Sequence, residues 1–139
     1  MIIGQIKDGI VLDHITAGKG MKLYELLGLD KIHDCQVAII KNAESQKMGR
    51  KDILKIDKVI DIDFDVLGYI DPGVTVNIIK NGIISQRIKI DLPEKITNVI
   101  KCKNPRCITT VEQELPHVFV LTDKEKRTYR CLYCESLAD

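Results

Sequence analysis

The chain has 139 residues, of which 45% are hydrophobic and only 4% aromatic, and it contains no Trp. This length allows one ordinary domain or two small ones, with a core built mainly from Ile, Val and Leu. The formal net charge is +1, from 21 basic and 20 acidic residues, and does not suggest a polyanion binder or a membrane-surface protein. Because no cleavage-site pattern and no membrane-spanning apolar run is present, a soluble cytoplasmic protein is expected, with no membrane partner.

Residues 1–92 alternate between strand and helix patterns. In "IIGQIKDGIVLDHI", two extended pieces are expected around a turn at Asp8-Gly9, a dipeptide favoured in tight hairpins. The segment "GKGMKLYELLGL" places its apolar residues at helical spacing, with Gly28 available to end the helix. The next segments, "QVAII", "DILKID" and "KVIDI", are expected to be extended.

A second helix and a hairpin complete this part of the chain. The segment "DFDVLGYI" is expected to be a short helix, opened by acidic residues and closed by Pro72-Gly73. The segment "VTVNIIKNGIISQRIKI" is expected to be a hairpin turned at Asn81-Gly82. The order β-α-β-β-α-β predicts a ferredoxin-like sheet with two helices on one face.

Residues 93–100 are expected to link this sheet domain to a β-rich unit spanning residues 101–139, with Pro93 marking the break. Strands are expected at "CITTVE", "HVFVLT" and "TYRCLY". A unit of about forty residues cannot bury enough surface to fold alone without a cross-link such as a disulfide or a bound metal ion. The fold class predicted is therefore α+β, a ferredoxin-like βαββαβ domain (1–92) followed by a small four-cysteine domain.

Cysteines are expected to supply this cross-link. Four of the five lie near the C-terminus, as the pairs Cys102-x4-Cys107 and Cys131-x2-Cys134. In a reducing cytosol, such pairs favour metal ligation over the alternatives of disulfides or four free thiols. Four thiolates suit one tetrahedral zinc and leave no open coordination position, so the site is expected to be structural. Cys35 stands alone and is interpreted as a buried free thiol.

The chain lacks the usual catalytic motifs, and the Gly-Lys in "TAGKGMK" has no upstream glycine to complete a phosphate loop. Asp13 and His14 end an otherwise apolar strand. Cations gather in two stretches of the same domain, namely Lys47, Arg50, Lys51, Lys55 and then Arg87 and Lys89. Such cations can neutralise a phosphate chain while Asp13 accepts from ribose hydroxyls. The alternative is a solvated charged face.

The segments "VLDHI", "MGRKDILKI", "VTVNII", "LPEKITNVIKCKNPRCIT" and "RCLYCE" together resemble the regulatory chain of aspartate carbamoyltransferase. The resemblance runs in order from about residue 2 to 136 and includes the cysteine spacing. It implies an allosteric subunit without catalytic activity, which forms a dimer with a second copy of itself. It also implies a zinc domain that contacts the catalytic chain, with CTP and UTP inhibiting and ATP activating pyrimidine synthesis.

The resemblance also assigns site residues in both domains. It places the nucleotide site on Ile3, Gln5, Ile6, Asp13, His14, Lys51, Lys55 and Asn77, with Arg87 where the family has a phosphate-binding lysine. It places contacts to the catalytic chain on Asn104 and Glu135. A zinc-ribbon module that binds nucleic acid is the alternative from another class, although residues 101–139 carry seven basic and six acidic residues, a weak footprint for phosphate recognition. An independent zinc enzyme is disfavoured by the closed thiolate shell.

Overall fold

The computed structural model describes residues 7–112 and 114–138. The chain divides into two compact units between Asp91 and Leu92. The predicted contributions of Ile3, Gln5 and Ile6 lie outside the described residues. Within the described part, no helix is both long and apolar enough to cross a bilayer.

The first unit is a five-stranded antiparallel sheet in the order β2-β3-β1-β4-β5. Its strands and α-helices are β1 (Gly9–Thr16), α1 (Gly20–Leu26), β2 (Val37–Ser45), β3 (Gly49–Ile56), α2 (Phe64–Ile70), β4 (Thr75–Lys80) and β5 (Ile83–Lys89), and a 3-10 turn (Leu29–Lys31) follows α1. The strands β2-β3-β1-β4 have the ferredoxin-like arrangement, which β5 extends by one hairpin strand. The predicted fold class is confirmed.

One face of the sheet forms the core with the two helices. Leu12, Leu54 and Val76 are at most 1% exposed on the three central strands, and Leu23 and Leu67 of the helices are fully buried. A fully buried Leu or Val side chain contributes about 1.5–3 kcal/mol, so this layer holds the helices on the sheet. Among the described residues of this unit, no α-helix packs on the opposite face of the sheet, which is called the open face.

The ends of the helices agree with the predicted signals. Gly28 adopts a left-handed φ of 72° just after α1, which a residue with a side chain adopts less readily. Asp63 caps α2 by accepting hydrogen bonds from the backbone N–H groups of Asp65 and Val66. Asn81 and Gly82, with φ of 54° and 77°, make the predicted two-residue turn between β4 and β5.

Two local predictions in the first unit are wrong. Asp8-Gly9 is not a hairpin turn: neither residue has positive φ, and Gly9 is paired with Ile79 inside the sheet. Instead, the carboxylate of Asp8 accepts from the N–H of Asn81, 3.0 Å away, so this segment braces the neighbouring turn. Residues 58–62 are not a strand, because the chain leaves the sheet after Ile56 to reach the helix-capping position of α2.

The described residues of the second unit form a three-stranded sheet in the order β6-β7-β8 and one short helix. These elements are β6 (Lys95–Thr97), α3 (Ile108–Val111), β7 (Val118–Asp123) and β8 (Thr128–Cys131). Residues 95–97, within the predicted linker, therefore form a strand that pairs with β7. Its core is small: Ile96, Phe119 and Tyr129 are at most 2% exposed, and the cysteines complete it.

The predicted strand at "CITTVE" is wrong, since residues 108–111 form α3. The Thr- and Val-rich composition favours a strand, but this preference is weak against tertiary contacts. The turn of α3 brings the Thr109 hydroxyl to 3.0 Å from Cys107 Sγ, while Thr110 N–H bonds the Cys107 carbonyl. The local conformation therefore follows the requirements of the cysteine cluster.

Candidate functional site

The open face of the first sheet collects the predicted polar residues in one row. Val11 of β1 pairs with Lys55 of β3 on one side and with Asn77 of β4 on the other, and Asn77 pairs with Arg87 of β5. Neighbouring strands are about 4.8 Å apart, so Lys55 and Arg87 stand about 14 Å apart across the sheet. The row thus has a cation at each end and an amide beside the second cation.

The alternation of β3 explains why these side chains avoid the core. Asp52, Leu54 and Ile56 are fully buried beneath the helices. Lys51 and Lys55, at the intervening positions, are half-buried on the opposite face. The structure therefore brings both predicted lysines to the same face as the row.

A β-bulge brings Asp13 and His14 to this face together. Leu12 pairs with Leu54 and Ile15 pairs with Asp52, so two residues of β1 face a single residue of β3. Leu12 and Ile15 are fully buried, whereas Asp13 and His14 are half-buried, and His14 adopts a φ of 58°. In a regular strand, successive side chains point to opposite faces, and one of the two would enter the core. The bulge therefore makes this pair available.

Asp13 is held in place by a neighbouring lysine. Its carboxylate lies 2.9 Å from Lys51 Nζ, with side chains 23% and 16% exposed, and also accepts from the His14 N–H at 2.6 Å. Burial raises the pKa of Asp13, but the hydrogen bonds from Lys51 and His14 outweigh it and leave the pKa below its ordinary value. His14 Nδ1 lies 3.3 Å from the hydroxyl of Thr75. The carboxylate is thus ionised and aimed at the open face.

Arg87 is oriented by Asn77. The Arg87 Nε donates to Asn77 Oδ1 at 3.1 Å, and Asn77 is only 8% exposed, so the amide is a fixed support. The other guanidinium nitrogens can form a two-pronged contact with phosphate oxygens. At this position, an arginine therefore presents its charge with a defined direction.

The Gly-Lys loop between β1 and α1 has its backbone donors occupied. The N–H groups of Gly18 and Gly20 donate to Asp52 Oδ2 at 3.0 and 2.9 Å, and the Thr16 N–H donates to Asp71 at 2.5 Å. Loops that cradle phosphate need such groups to be available. This loop is therefore an internal anchor rather than a phosphate cradle.

Asp52 is a site residue that sequence reasoning missed. It is fully buried, and its second oxygen accepts from the Asn42 N–H at 2.8 Å, at a bulge in β2. Burial raises the pKa of Asp52, but the backbone donors of Asn42, Gly20 and Gly18 outweigh it and lower the pKa. The available signal was its position: an Asp at an inward-facing position of the strand "KDILKI" requires partners.

The four predicted cysteines form one cluster in the second unit. Their Sγ atoms all lie within 4.8 Å of one another, with Cys102 3.6 Å from Cys134 and Cys107 3.6 Å from Cys131. Four sulfurs at about 2.3 Å from a tetrahedral ion are about 3.8 Å apart. The donor set and its spacing therefore fit a single metal ion held by four thiolates.

The cluster gives its thiols unequal acidities. Burial raises the pKa of Cys102 to about 12, whereas hydrogen bonding with the Ser136 hydroxyl lowers the pKa of Cys134 to about 6. The hydroxyl of Thr109 lowers the pKa of Cys107. Metal binding requires deprotonated thiols, so the hydroxyls of Thr109 and Ser136 act on Cys107 and Cys134 in the direction that metal binding needs.

The two predicted interface residues lie beside the cluster. The Asn104 side chain is engaged within the unit: its Oδ1 accepts from Arg106 N–H at 3.0 Å and its Nδ2 donates to Ser136 Oγ at 3.3 Å. Glu135 is exposed, and its carbonyl accepts from an Arg130 guanidinium nitrogen. Cys35 precedes β2 in the first unit and lies outside the cluster; it is a free thiol, but it is half-buried and not buried as predicted.

Comparisons with known proteins cover both units. The family model described as "Aspartate carbamoyltransferase regulatory chain, allosteric domain" matches residues 1–91, and the one described as its "metal binding domain" matches residues 94–139. A relative from Clostridium botulinum is 52% identical over 137 residues, 99% of this chain and 93% of the relative. One from Clostridium tetani is 51% identical over 99% of this chain and 95% of the relative. One from Bifidobacterium longum is 41% identical over 99% of both chains.

All three relatives are named aspartate carbamoyltransferase regulatory chain. The boundary between the two matched domains coincides with the division between the two compact units. The four clustered cysteines lie in the part that matches the metal-binding domain. This chain therefore belongs to the family of aspartate carbamoyltransferase regulatory chains and is a regulatory, not a catalytic, chain of that enzyme.

Proposed function

We propose that the open face of the first sheet binds the nucleotide effectors CTP, UTP and ATP. Lys55 and Asp13 hold the base and the ribose, and His14 and Arg87 face the phosphates. The observation that carries this proposal is the row from Lys55 to Arg87, which lies in the unit that matches the allosteric domain. A nucleoside triphosphate offers hydroxyls, a base edge and negative charge over a comparable length.

The charges of this face are arranged for such a ligand. The Asp13 carboxylate can accept from ribose hydroxyls, while cations at two separate positions can neutralise phosphates. The Asp13–Lys51 ion pair limits the cost of keeping this carboxylate half-buried. Asn77 supports Arg87 before any ligand arrives. These features favour an anionic ligand with a polar body over a solvated surface without a ligand.

Calorimetric titration of the full chain with each nucleotide tests this proposal. A charge-assisted contact contributes about 1.5–3 kcal/mol, so Lys55→Ala should weaken binding by roughly ten- to a hundredfold. Arg87→Ala should weaken triphosphates more than the corresponding nucleosides, and added salt should reproduce part of this loss. Lys80→Ala, which removes an exposed lysine at the end of β4, is the matched control.

If Lys55→Ala and Arg87→Ala both bound nucleotides as tightly as the unaltered chain, these residues would belong to a solvated charged face and not to a nucleotide site. Metal content should be the same in all variants, because the altered residues lie in the other unit. A loss of metal in either variant would indicate a general folding defect instead of a lost ligand contact.

We also propose that the cysteine cluster binds one structural zinc and that the second unit contacts the catalytic chain through residues that include Asn104 and Glu135. Large apolar side chains are exposed around the cluster, namely Ile108, Val111, Leu132, Tyr133 and Leu137. Such a group of exposed apolar side chains is typical of a protein interface. A nucleic-acid partner has less support, since the basic and acidic residues of this unit are nearly balanced.

Co-purification from cells separates these partners. A tagged chain should carry a carbamoyltransferase catalytic chain with it, and chelation of zinc should release that chain in an active form that no longer responds to nucleotides. A complex that stays intact after zinc removal would refute the adaptor role. Recovery of nucleic acid instead would favour the zinc-ribbon alternative.

Self-association through the first unit completes the proposed assembly. In the part of the chain that the structure describes, the sheet ends at two edge strands, β2 and β5, whose outer backbone groups can pair with another strand. A second copy of this chain is the partner that the family resemblance implies. Sedimentation of the purified chain should give a dimer, and a monomer at micromolar concentration would contradict this part of the proposal.

A further inference from the structure

The second unit contains a hydrogen-bonded path that reaches from an asparagine of one cysteine pair to a thiol of the other. Asn104 lies between Cys102 and Cys107, whereas Ser136 follows Cys134 by two residues. Asn104 Nδ2 donates to Ser136 Oγ at 3.3 Å, and Ser136 Oγ lies 3.3 Å from Cys134 Sγ. The path therefore joins the two halves of the candidate metal shell without passing through the metal position.

The orientation of the asparagine side chain is fixed by the backbone. Asn104 Oδ1 accepts from the Arg106 N–H at 3.0 Å, so the amide nitrogen is the end that faces Ser136. A hydroxyl that accepts from this nitrogen retains its own proton to donate. When Cys134 is a thiolate, it can only accept, and the direction of the path becomes N–H to O–H to sulfur.

We propose that Asn104 and Ser136 act as a relay that donates a hydrogen bond to the metal-bound Cys134 thiolate and thereby slows metal loss. This proposal rests on the metal site proposed above. Outer groups that hydrogen-bond to metal ligands orient them, and their removal commonly costs ten- to a hundredfold in metal affinity. A chain of hydrogen bonds also polarises each of its members, so the amide strengthens the hydroxyl as a donor.

The relay gives Asn104 a role distinct from its predicted contact with the catalytic chain. Both of its side-chain polar atoms already have partners within the unit. Each of these atoms can still form one more hydrogen bond, so a contact with the catalytic chain is compatible with the relay. The same residue would then touch the partner and support the metal shell.

The experiment measures the rate at which zinc passes from the full chain to a chromophoric chelator at one pH. Ser136→Ala should accelerate release by about ten- to a hundredfold. Ser136→Thr keeps a hydroxyl and should restore slow release. Asn104→Asp is nearly isosteric, but its carboxylate accepts the Ser136 proton and takes it from sulfur, so it should also accelerate release.

Double variants distinguish a relay from separate local effects. Asn104→Asp and Ser136→Ala act on one path, so the combined variant should release zinc no faster than the faster single variant. Thr109→Val removes the hydroxyl that lies 3.0 Å from Cys107 Sγ, on a different path, so its effect should multiply with that of Ser136→Ala. Thr122→Val, which removes a hydroxyl bonded to the Thr128 carbonyl, should leave the rate unchanged.

Cobalt substitution supplies a second readout that does not depend on release. The sulfur-to-metal charge-transfer band of the cobalt-substituted chain should shift in Ser136→Ala and Asn104→Asp. In Ser136→Thr it should have the same position as in the unaltered chain. A chain that binds no metal at all would refute the proposed metal centre. Normal binding with unchanged release and spectra in Ser136→Ala and Asn104→Asp would refute the relay alone.

Discussion

The two units of this chain hold their sites by different means. Among the largest fully buried side chains of the described residues, ten belong to the first unit and only two, Ile96 and Phe119, belong to the second. At about 1.5–3 kcal/mol each, the first group far exceeds the second. The open face therefore lies on a sheet with its own core, whereas the cysteine cluster supplies much of the core of its unit. Damage to the cluster should unfold a unit, but damage to the face should mainly change binding.

Metal removal should destabilise the molecule more than any single substitution in the first unit. A structural zinc contributes about 10–16 kcal/mol to folding in small domains at neutral pH, more than the apolar core of the second unit can replace. Cys131→Ser, or chelation, should abolish amide-exchange protection in β7 and β8. Protection in the first unit should be retained, which residue-resolved hydrogen exchange can measure.

Cys35→Ser is the matched control for this experiment, because it removes a half-buried thiol outside the cluster. It should leave zinc content and protection in the second unit unchanged. If the second unit stayed protected after its metal was stripped, the contrast between the two units would disappear.

Loss of Asp52 should have the next largest effect, confined to the first unit. Asp52→Ala leaves the N–H groups of Gly18, Gly20 and Asn42 without their acceptor. We expect a loss of about 3–5 kcal/mol in the free energy of unfolding of this unit, and about 1–3 kcal/mol for Asp52→Asn, which retains one acceptor. Hydrogen exchange in β1 and β3 would report it, and the zinc content should be unchanged.

Asp34→Ala provides the corresponding control on the surface. Asp34 forms an ion pair with Lys58, but both side chains are largely exposed. Exposed pairs contribute little, so this change should have almost no effect. If Asp52→Ala were as stable as the unaltered chain, the N–H groups of the loop would have other acceptors, and Asp52 would not hold the loop in place.

The same contrast accounts for what the sequence predicted and what it did not. The cluster was predicted because its ligands occur as two close pairs, a spacing that is typical of metal-binding cysteines. The alternation of strands and helices in the first unit followed from hydrophobic periodicity, except for the strand expected at residues 58–62. The bulge at Asp13-His14 and the helix after Cys107 were not predicted, because each depends on partners distant in the sequence. Asp52 was missed for the same reason, since its three donors come from two other segments.

Gly20→Ala tests the contact between Asp52 and the Gly-Lys loop by a change in the loop. A Cβ atom at position 20 would lie 2.9 Å from Asp52 Oδ2 and 3.1 Å from Asp52 Cβ, closer than such atoms normally approach. Asp52 is fully buried and cannot move away freely. We expect a loss of about 1–3 kcal/mol in the stability of the first unit, measured by the same exchange experiment. Gly73→Ala is the control, since its nearest contact would be an ordinary 3.7 Å. Equal protection in Gly20→Ala and Gly73→Ala would show that the loop shifts at no cost.

The smallest effect concerns the ion pair of the open face. The pKa of Asp13 in the folded chain lies below its ordinary value of 3.8, so the ionised carboxylate stabilises the fold. This contribution is fully present above pH 3.8 and is lost as the pH falls through the folded-state pKa. Asp13→Asn should therefore cost about 0.5–1 kcal/mol at neutral pH, and its difference from the unaltered chain should vanish in acid. Because thiolates also protonate in acid and release metal, only hydrogen exchange in the first unit is informative.

Salt separates the two ion pairs. The small loss of stability in Asp34→Asn, which breaks the exposed pair, should disappear in about 1 M salt, whereas Asp13→Asn should keep part of its loss of stability because the Asp13–Lys51 pair is half-buried. Equal sensitivity of the two pairs to salt would mean that the open face is as solvated as any other charged surface of the molecule.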